Sequence, residues 1–194
     1  MSQSEWAAQT ARKYLELQLP VRWAHTQRVA AQARALGPIL GSDGDLLEAA
    51  AWLHDIGYSP ELAATGFHPL DGARYLRDVE GVDEIACCLV AHHTCAIVEA
   101  SERGLAAELA AEFGRPRPDL DEALIYCDMT GGPDGTLMTV DARLAEIFSR
   151  YAADHPVAHA IKRAAPALVD TVHVVQARMA LANARQRQLV AAVG

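Results

Sequence analysis

The feature that most constrains the fold is a hydrophobic repeat of about 3.6 residues, which runs through almost every segment of the 194-residue chain. No segment alternates apolar and polar residues convincingly, as a half-buried strand would. Glycine and proline interrupt the repeat, and the connections between the predicted helices are short. The sequence therefore predicts an all-α helical bundle, and at this length we expect a single domain over residues 1–194.

Helix boundaries follow from capping residues and prolines. Ser4 is expected to cap a first helix that ends near Leu19, and Pro20 is expected to open a second that ends before Gly37 and Pro38. Further helices are expected over about 46–53, 68–79, 82–94, 99–113, 123–128, 141–154 and 166–193. The core of the domain would then span about residues 21–128, with additional C-terminal helices within 141–193.

Composition narrows the class of protein. Apolar residues make up 51% of the chain and charged residues 22%, as in globular proteins. The formal net charge of -8 argues against non-specific binding of nucleic acid or of an anionic membrane. The four cysteines lack CxxC spacing, the N-terminus lacks the features of a signal peptide, and no apolar run has the length of a membrane span. We therefore expect a cytoplasmic protein with reduced thiols and without a nucleic-acid or membrane partner, while its oligomeric state stays open.

The stretch Leu53-His54-Asp55-Ile56-Gly57 joins an imidazole and a carboxylate at the end of an apolar helix. Gly57 is expected to be the C-terminal cap, so that His54 and Asp55 occupy the last turn. Unpaired carbonyls and the negative end of the helix dipole favour a cation there, and one carboxylate can bridge two ions. Adjacent His and Asp residues also occur at ordinary helix ends, so the hypothesis depends on what accompanies them.

Other imidazoles and one carboxylate are expected in similar places. They lie on the inward side of the second helix, at the start or end of later helices, and after a buried apolar run, where an unpaired charge would cost several kcal/mol. Oxygen and imidazole ligands without thiolate suit divalent ions such as Fe, Mn, Zn, Co, Ni or Mg, and their number suits two ions. The candidate metal ligands are His25, His54, Asp55, His68, His92, His93 and Asp128.

This ordered set resembles the HD superfamily of metal-dependent phosphohydrolases, whose pattern is a His, then His-Asp, then a distant Asp on a helical bundle. Here the pattern is matched by His25, His54, Asp55 and Asp128. His68 in His-Pro-Leu-Asp-Gly-Ala and His93 in His-His-Thr resemble the additional ligands of the family's dinucleoside polyphosphate hydrolases, which hold two metals. The resemblance does not decide between His92 and His93, although the position before Thr94 favours His93.

The resemblance implies an HD-domain bundle and a hydrolase that acts on a phosphate ester or anhydride of a small molecule, for which we expect a nucleotide. His54 and Asp55 would act through the metals, which lower the pKa of a bridging water. Tyr58 stands where many HD hydrolases carry Lys, and it is a candidate acid for the leaving group. Arg28, one turn after His25, is a candidate phosphate contact, as are Arg74 and Arg143 with less support.

Two other readings of the same residues remain open. Some HD proteins with the same six-ligand pattern are diiron oxygenases that cleave C-P or C-C bonds. A regulatory module that binds a nucleotide without turnover is a further alternative, although the complete ligand set counts against it. The Gly-Tyr-Pro motif of cyclic-di-GMP phosphodiesterases is absent after His93, which argues against that substrate. The glycine-rich loop 130–135 is expected to help shape the pocket, and most neutralisation of substrate charge is expected from the ions.

Overall fold

The computed structural model describes residues 1–193. Its α-helices are α1 (Gln3–Leu15), α2 (Pro20–Leu40), α3 (Gly44–Leu53), α4 (His68–Asp78), α5 (Glu84–His92), α6 (Ala96–Glu102), α7 (Ala106–Glu112), α8 (Pro118–Met129), α9 (Val140–Arg150) and α10 (Pro156–Val193). Short 3₁₀ turns cover Gly41–Asp43, Ile56–Tyr58 and His93–Cys95. Within the described residues there is no strand, only an isolated bridge between Gly131 and Leu137. The prediction of an all-α fold is confirmed.

Helix α3 occupies the centre of the bundle and is buried on nearly every side. Leu47, Ala50 and Ala51 pack with residues of α2, α8, α9 and α10, whereas Ala49 and Leu53 pack with residues of α1, α4 and α5. The three consecutive alanines keep this helix thin, so that neighbouring helices can approach it closely. The chain segment that follows Leu53 therefore begins in the interior of the protein.

The ends of the first two helices differ from the prediction. Ser2, not Ser4, caps α1, and its hydroxyl accepts the amide of Glu5. The hydroxyl of Ser4 instead donates to Asp45 at the start of α3. Helix α2 continues through Gly37-Pro38 to Leu40. Pro38 lies two residues before the end of α2, so the disruption caused by its missing N–H and its ring falls in the last turn of the helix.

Two later boundaries were also wrong. The segment expected as one helix over 99–113 forms α6 and α7, which are separated at Gly104, where φ is +74°. Helix α10 begins at Pro156, ten residues before the expected start, and Pro166 lies inside it. By sequence alone, either Pro156 or Pro166 could be the first residue of this helix. Packing against the core favours the longer helix that begins at Pro156.

None of the helices in the described part of the chain is long and apolar enough to cross a membrane.

Candidate metal centre

The turn after α3 places Asp55 against α4. His54 is the C-cap of α3, and Asp55 leads into the Ile56–Tyr58 turn. Gly57 does not have the positive φ of a left-handed cap, which corrects the predicted role. It packs directly on α4 instead, because a Cβ at this position would lie 2.1 Å from the carbonyl oxygen of His68. This close approach brings the first residue of α4 beside Asp55.

Six of the predicted ligand residues converge at this point. One comes from α2, two from the end of α3, one from the start of α4, one from the turn after α5 and one from the last turn of α8; they are His25, His54, Asp55, His68, His93 and Asp128. All are buried except His68, which is half-buried. The group is assembled from segments that lie up to 103 residues apart in the chain.

The six side chains divide into two sets of three. His25, His54 and Asp128 form one set, and Asp55, His68 and His93 form the other; within each set the potential ligand atoms lie within 4.8 Å of one another. Asp55 also faces the first set, because its Oδ2 lies 3.2 Å from His54 Nε2 and 3.9 Å from His25 Nε2. Its Oδ1 lies 3.4 Å from His68 Nε2 and 3.9 Å from His93 Nε2. Asp55 thus presents one oxygen to each set.

Hydrogen bonds to the backbone determine which imidazole nitrogens face the cluster. Nδ1 of His54 donates to the carbonyl oxygen of Ala51, and Nδ1 of His93 donates to that of Val90, each at 2.7 Å. In a neutral ring each Nε2 is then unprotonated and carries a lone pair. Nε2 of His54 is buried without a hydrogen-bond partner in the described structure, and it faces a carboxylate. Lone pairs and carboxylates pointed at one another fit divalent cations.

The protonation equilibria of Asp55, His68 and His93 agree with such ligands, because ionised carboxylates and neutral imidazoles are the forms that bind metals. Burial opposes ionisation of Asp55, but Arg22 and His54 outweigh it and hold the pKa of that carboxyl well below its usual range. Burial lowers the pKa of His68 to about 3 and also lowers that of His93, so both rings are neutral at pH 7. His54 differs: burial opposes its charge, but Asp55 outweighs burial and raises the pKa. A metal at His54 would therefore have to displace a proton that the ion-free site favours.

Arg22 is a residue that the sequence reasoning missed. It lies one turn before His25 on α2, and its Nη1 donates to Asp55 Oδ2 at 2.8 Å. Its guanidinium also lies 4.0 Å from the ring centroid of Tyr58, which in turn stacks on His68 at 3.8 Å. The signal that could have found it is the spacing of three residues to His25, which places both on one face of a helix. Arg22 therefore places a positive charge beside Asp55 in addition to any that bound metals would supply.

The three arginines considered as phosphate contacts, and His92, lie in different parts of the structure. Nε of Arg28 donates to the carbonyl oxygen of Gly135, so this residue holds the loop 130–135 and does not line the cleft. Arg74 pairs with two glutamates of α7 near the surface. His92 donates through Nε2 to the carbonyl oxygen of Phe113 at 3.1 Å and stays outside the cluster. By contrast, Arg143 is buried and its Nη2 lies 3.7 Å from Asp128 Oδ1.

The turn after α5 is strained where it meets Asp128. Thr94 and Cys95 have φ values of +50° and +58°, which non-glycine residues rarely adopt. The hydroxyl of Thr94 donates to Asp128 Oδ2, which leaves Oδ1 of that carboxylate toward His25 at 2.9 Å. Strain of this kind costs on the order of 1–3 kcal/mol per residue and is concentrated at functional sites.

An open cleft leads to the cluster. It contains about 620 Å³ of empty space, a figure that includes open solvent at its mouth. Its polar lining includes Arg22, Tyr58, Arg143 and members of the cluster. Pro133 of the loop 130–135 lines a neighbouring pocket beside His25, so the loop borders the other side of the cluster.

Comparisons with known proteins bear on this geometry. The model of the HD domain matches residues 22–154, well over half of the chain. The chain belongs to the HD domain family. Ribonuclease Y of Rhodopirellula baltica, an HD-domain protein, is 35% identical over 75 residues, which are 39% of this chain. The aligned segment spans only 14% of the length of that relative. No solved structure matches the chain.

The HD family is one of metal-dependent phosphohydrolases, and its members bind divalent metals. The His and Asp side chains described above supply the oxygen and nitrogen ligands that such ions prefer. The resemblance noted from the sequence motifs is therefore confirmed at the level of the family.

Proposed function

We propose that this protein hydrolyses a phosphate ester or anhydride of a nucleotide with two divalent ions. The observation that carries the proposal is the position of Asp55, with one carboxylate oxygen toward each set of ligands. His25, His54 and Asp128 would hold one ion, and His68 and His93 would hold the other with Asp55 between them. Such ions lower the pKa of a bound water and polarise a phosphoryl oxygen.

Arg22, Arg143 and Tyr58 would bind and orient the phosphate group. Arg22 and Arg143 place two guanidinium groups next to Asp55 and Asp128, where they can donate to phosphoryl oxygens. Tyr58 is held between Arg22 and His68, and its hydroxyl is the candidate proton donor to the leaving oxygen. A nucleotide is supported by the cationic end of the cleft and by similarity to a protein named Ribonuclease Y.

The proposal is tested by metal analysis of the purified protein, followed by phosphate-release assays with each metal found. The substrates are nucleoside mono-, di- and triphosphates, dinucleoside polyphosphates and cyclic nucleotides. Asp55→Ala should lose bound metal and turnover together, whereas Asp170→Ala, on the exposed face of α10, should keep both. Full metal stoichiometry in Asp55→Ala would contradict the proposed ligand set.

The assay also separates the alternative activities. A fully metallated protein that releases no phosphate but consumes oxygen in a substrate-dependent manner would be an oxygenase. Binding of a nucleotide without either reaction would indicate a regulatory module.

A further inference from the structure

Part of the lining of the cleft is an apolar surface formed by side chains of α9, α10 and the segment between them. Ile147 of α9 lies there with Tyr151, which follows that helix, and with four residues of α10: Val157, Ala160, Ile161 and Ala164. These four recur at spacings of three and four, so they share one face of α10. We call this surface of six residues the apolar wall.

Most of the apolar wall lies outside the part of the chain that the family model matches. That match ends at residue 154, and α10 begins at Pro156. Helix α10 nevertheless packs on α6, α8 and the His93–Cys95 turn, so the core holds it beside the candidate metal centre. The family model therefore does not specify the four wall residues that α10 contributes.

Apart from the hydroxyl of Tyr151, few polar groups near the wall are free to form hydrogen bonds with a ligand. Glu99 accepts from Arg103 Nε at 2.7 Å, and Arg150 pairs with Glu146 at 2.7 Å. Among the described residues that line the cleft there is no Asn or Gln. A buried hydroxyl or amide of a ligand would find few partners here and would lose its hydrogen bonds to water. An apolar ring would instead gain from leaving water.

We propose that the apolar wall is the specificity subsite for the organic group of the phosphate ester. The inference rests on the proposed function, because Arg22 and the metals are taken to hold the phosphate group of the ligand beside the wall. The substrates would be phosphate esters that carry a flat, apolar or aromatic group, such as a nucleobase held by contact without reading of its hydrogen-bonding edge. Ala160 and Ala164 keep the space in front of the wall open.

The test uses two phosphonates of equal charge that cannot be hydrolysed as esters, benzylphosphonate and methylphosphonate. Their dissociation constants are measured by isothermal titration calorimetry on the full-length protein with its metals. Benzylphosphonate should bind at least about tenfold more tightly. Ala160→Leu, which fills the space, should abolish most of this preference without changing the affinity for methylphosphonate. Lys162→Ala, at an exposed position on α10, should leave both affinities unchanged.

A second variant protects the test against a misfolded Ala160→Leu protein. Ile161→Ala removes part of the half-buried wall and should weaken benzylphosphonate binding about threefold or more. Equal affinities of the wild-type protein for the two phosphonates would overturn the inference, as would a preference that neither variant reduces. Failure of the proposed function would be a separate result. A preference for benzylphosphonate without hydrolysis of any phosphate ester would support the apolar wall as a binding subsite and contradict the proposed hydrolase activity.

Discussion

At the scale of single residues, the candidate centre depends on side chains that orient the ligands without being ligands. Backbone carbonyl oxygens of Ala51 and Val90 determine which nitrogens of His54 and His93 face the cluster. The hydroxyl of Thr94 orients the carboxylate of Asp128 by donating to its Oδ2. Such supporting contacts commonly change metal affinity by about 10–100-fold when they are lost.

We therefore expect Thr94→Val to lower metal affinity by about 10–100-fold, because the isosteric side chain cannot donate to Asp128. Thr94→Ser keeps the hydroxyl and should retain most of the affinity. Competition with a metal chelator measures both variants, and circular dichroism checks that both are folded. Equal loss in the two variants would mean that the methyl group or the strained backbone matters more than the hydrogen bond.

At the scale of secondary-structure elements, the packing of the Ile56–Tyr58 turn on α4 brings His68 to Asp55. Gly57→Ala should destabilise the protein by about 2–3 kcal/mol, because the added methyl group would overlap the carbonyl oxygen of His68. Gly114→Ala is the matched control, since a Cβ there meets no atom within 4 Å and the backbone does not have a positive φ. That substitution should stabilise by about 0.4–1 kcal/mol, because it reduces the conformational freedom of the unfolded chain. Thermal unfolding measures the two opposite shifts.

Helix α8, which carries Asp128, also contains an acid whose burial makes stability depend on pH. Asp121 Oδ1 is buried without a hydrogen-bond partner in the described structure, and burial together with Glu122 raises the pKa of Asp121 to about 6. The folded state thus binds this proton more tightly than the unfolded state, and stability falls as pH rises from about 4 to 6. Asp121→Asn should stabilise by about 1–2 kcal/mol at pH 7.5 and have little effect at pH 4.

Asp119 on the same helix makes stability depend on pH in the opposite direction. Its hydrogen bond with Arg117 lowers the pKa of the carboxyl, so its contribution to stability is present above about pH 4 and is lost as pH falls. Asp119→Asn should therefore lower the free energy of unfolding slightly at pH 7.5. Urea unfolding of both variants at the two pH values is the measurement, and shifts of the same sign at pH 7.5 would contradict the assignment.

At the scale of the whole molecule, α10 belongs to the core although the family model ends before it. Leu168 and Val172 are fully buried, and Val175 is nearly so. Truncation before Pro166 removes all three and should abolish cooperative unfolding, because each buried apolar side chain contributes about 2–5 kcal/mol to a total of only about 5–15 kcal/mol.

Truncation before Asn183 is the control for the same helix. The side chains described beyond this point are mostly exposed, so we expect the melting temperature to change by no more than about 2–4 °C. Differential scanning calorimetry compares the two truncated proteins with the complete chain. A cooperative transition near the wild-type temperature in the protein truncated before Pro166 would show that the core does not need this part of α10.

The sequence by itself determined the fold class and the chemical types available for the centre. Helical periodicity is a local property, so the all-α prediction needed no knowledge of long-range contacts. Imidazole and carboxylate are properties of the residue types, and the order His25, His54-Asp55, Asp128 was enough to indicate the family. Helix ends were less predictable, because Pro38 and Pro166 are compatible with more than one boundary and packing chooses between them.

Only the tertiary structure decided which residues lie together and which atoms they present. Arg22 and Arg28 are each three residues from His25, but at about 100° per residue they lie on opposite flanks of its face of α2. Arg22 therefore reaches Asp55 while Arg28 holds the loop at Gly135. His93 follows the end of α5 with a non-helical ψ of 146°, and its Nε2 lies 3.9 Å from Asp55 Oδ1. The ring of His92 instead bonds to a carbonyl 21 residues away. The apolar wall depends on how α10 packs against distant helices, and such long-range packing leaves no local pattern in the sequence.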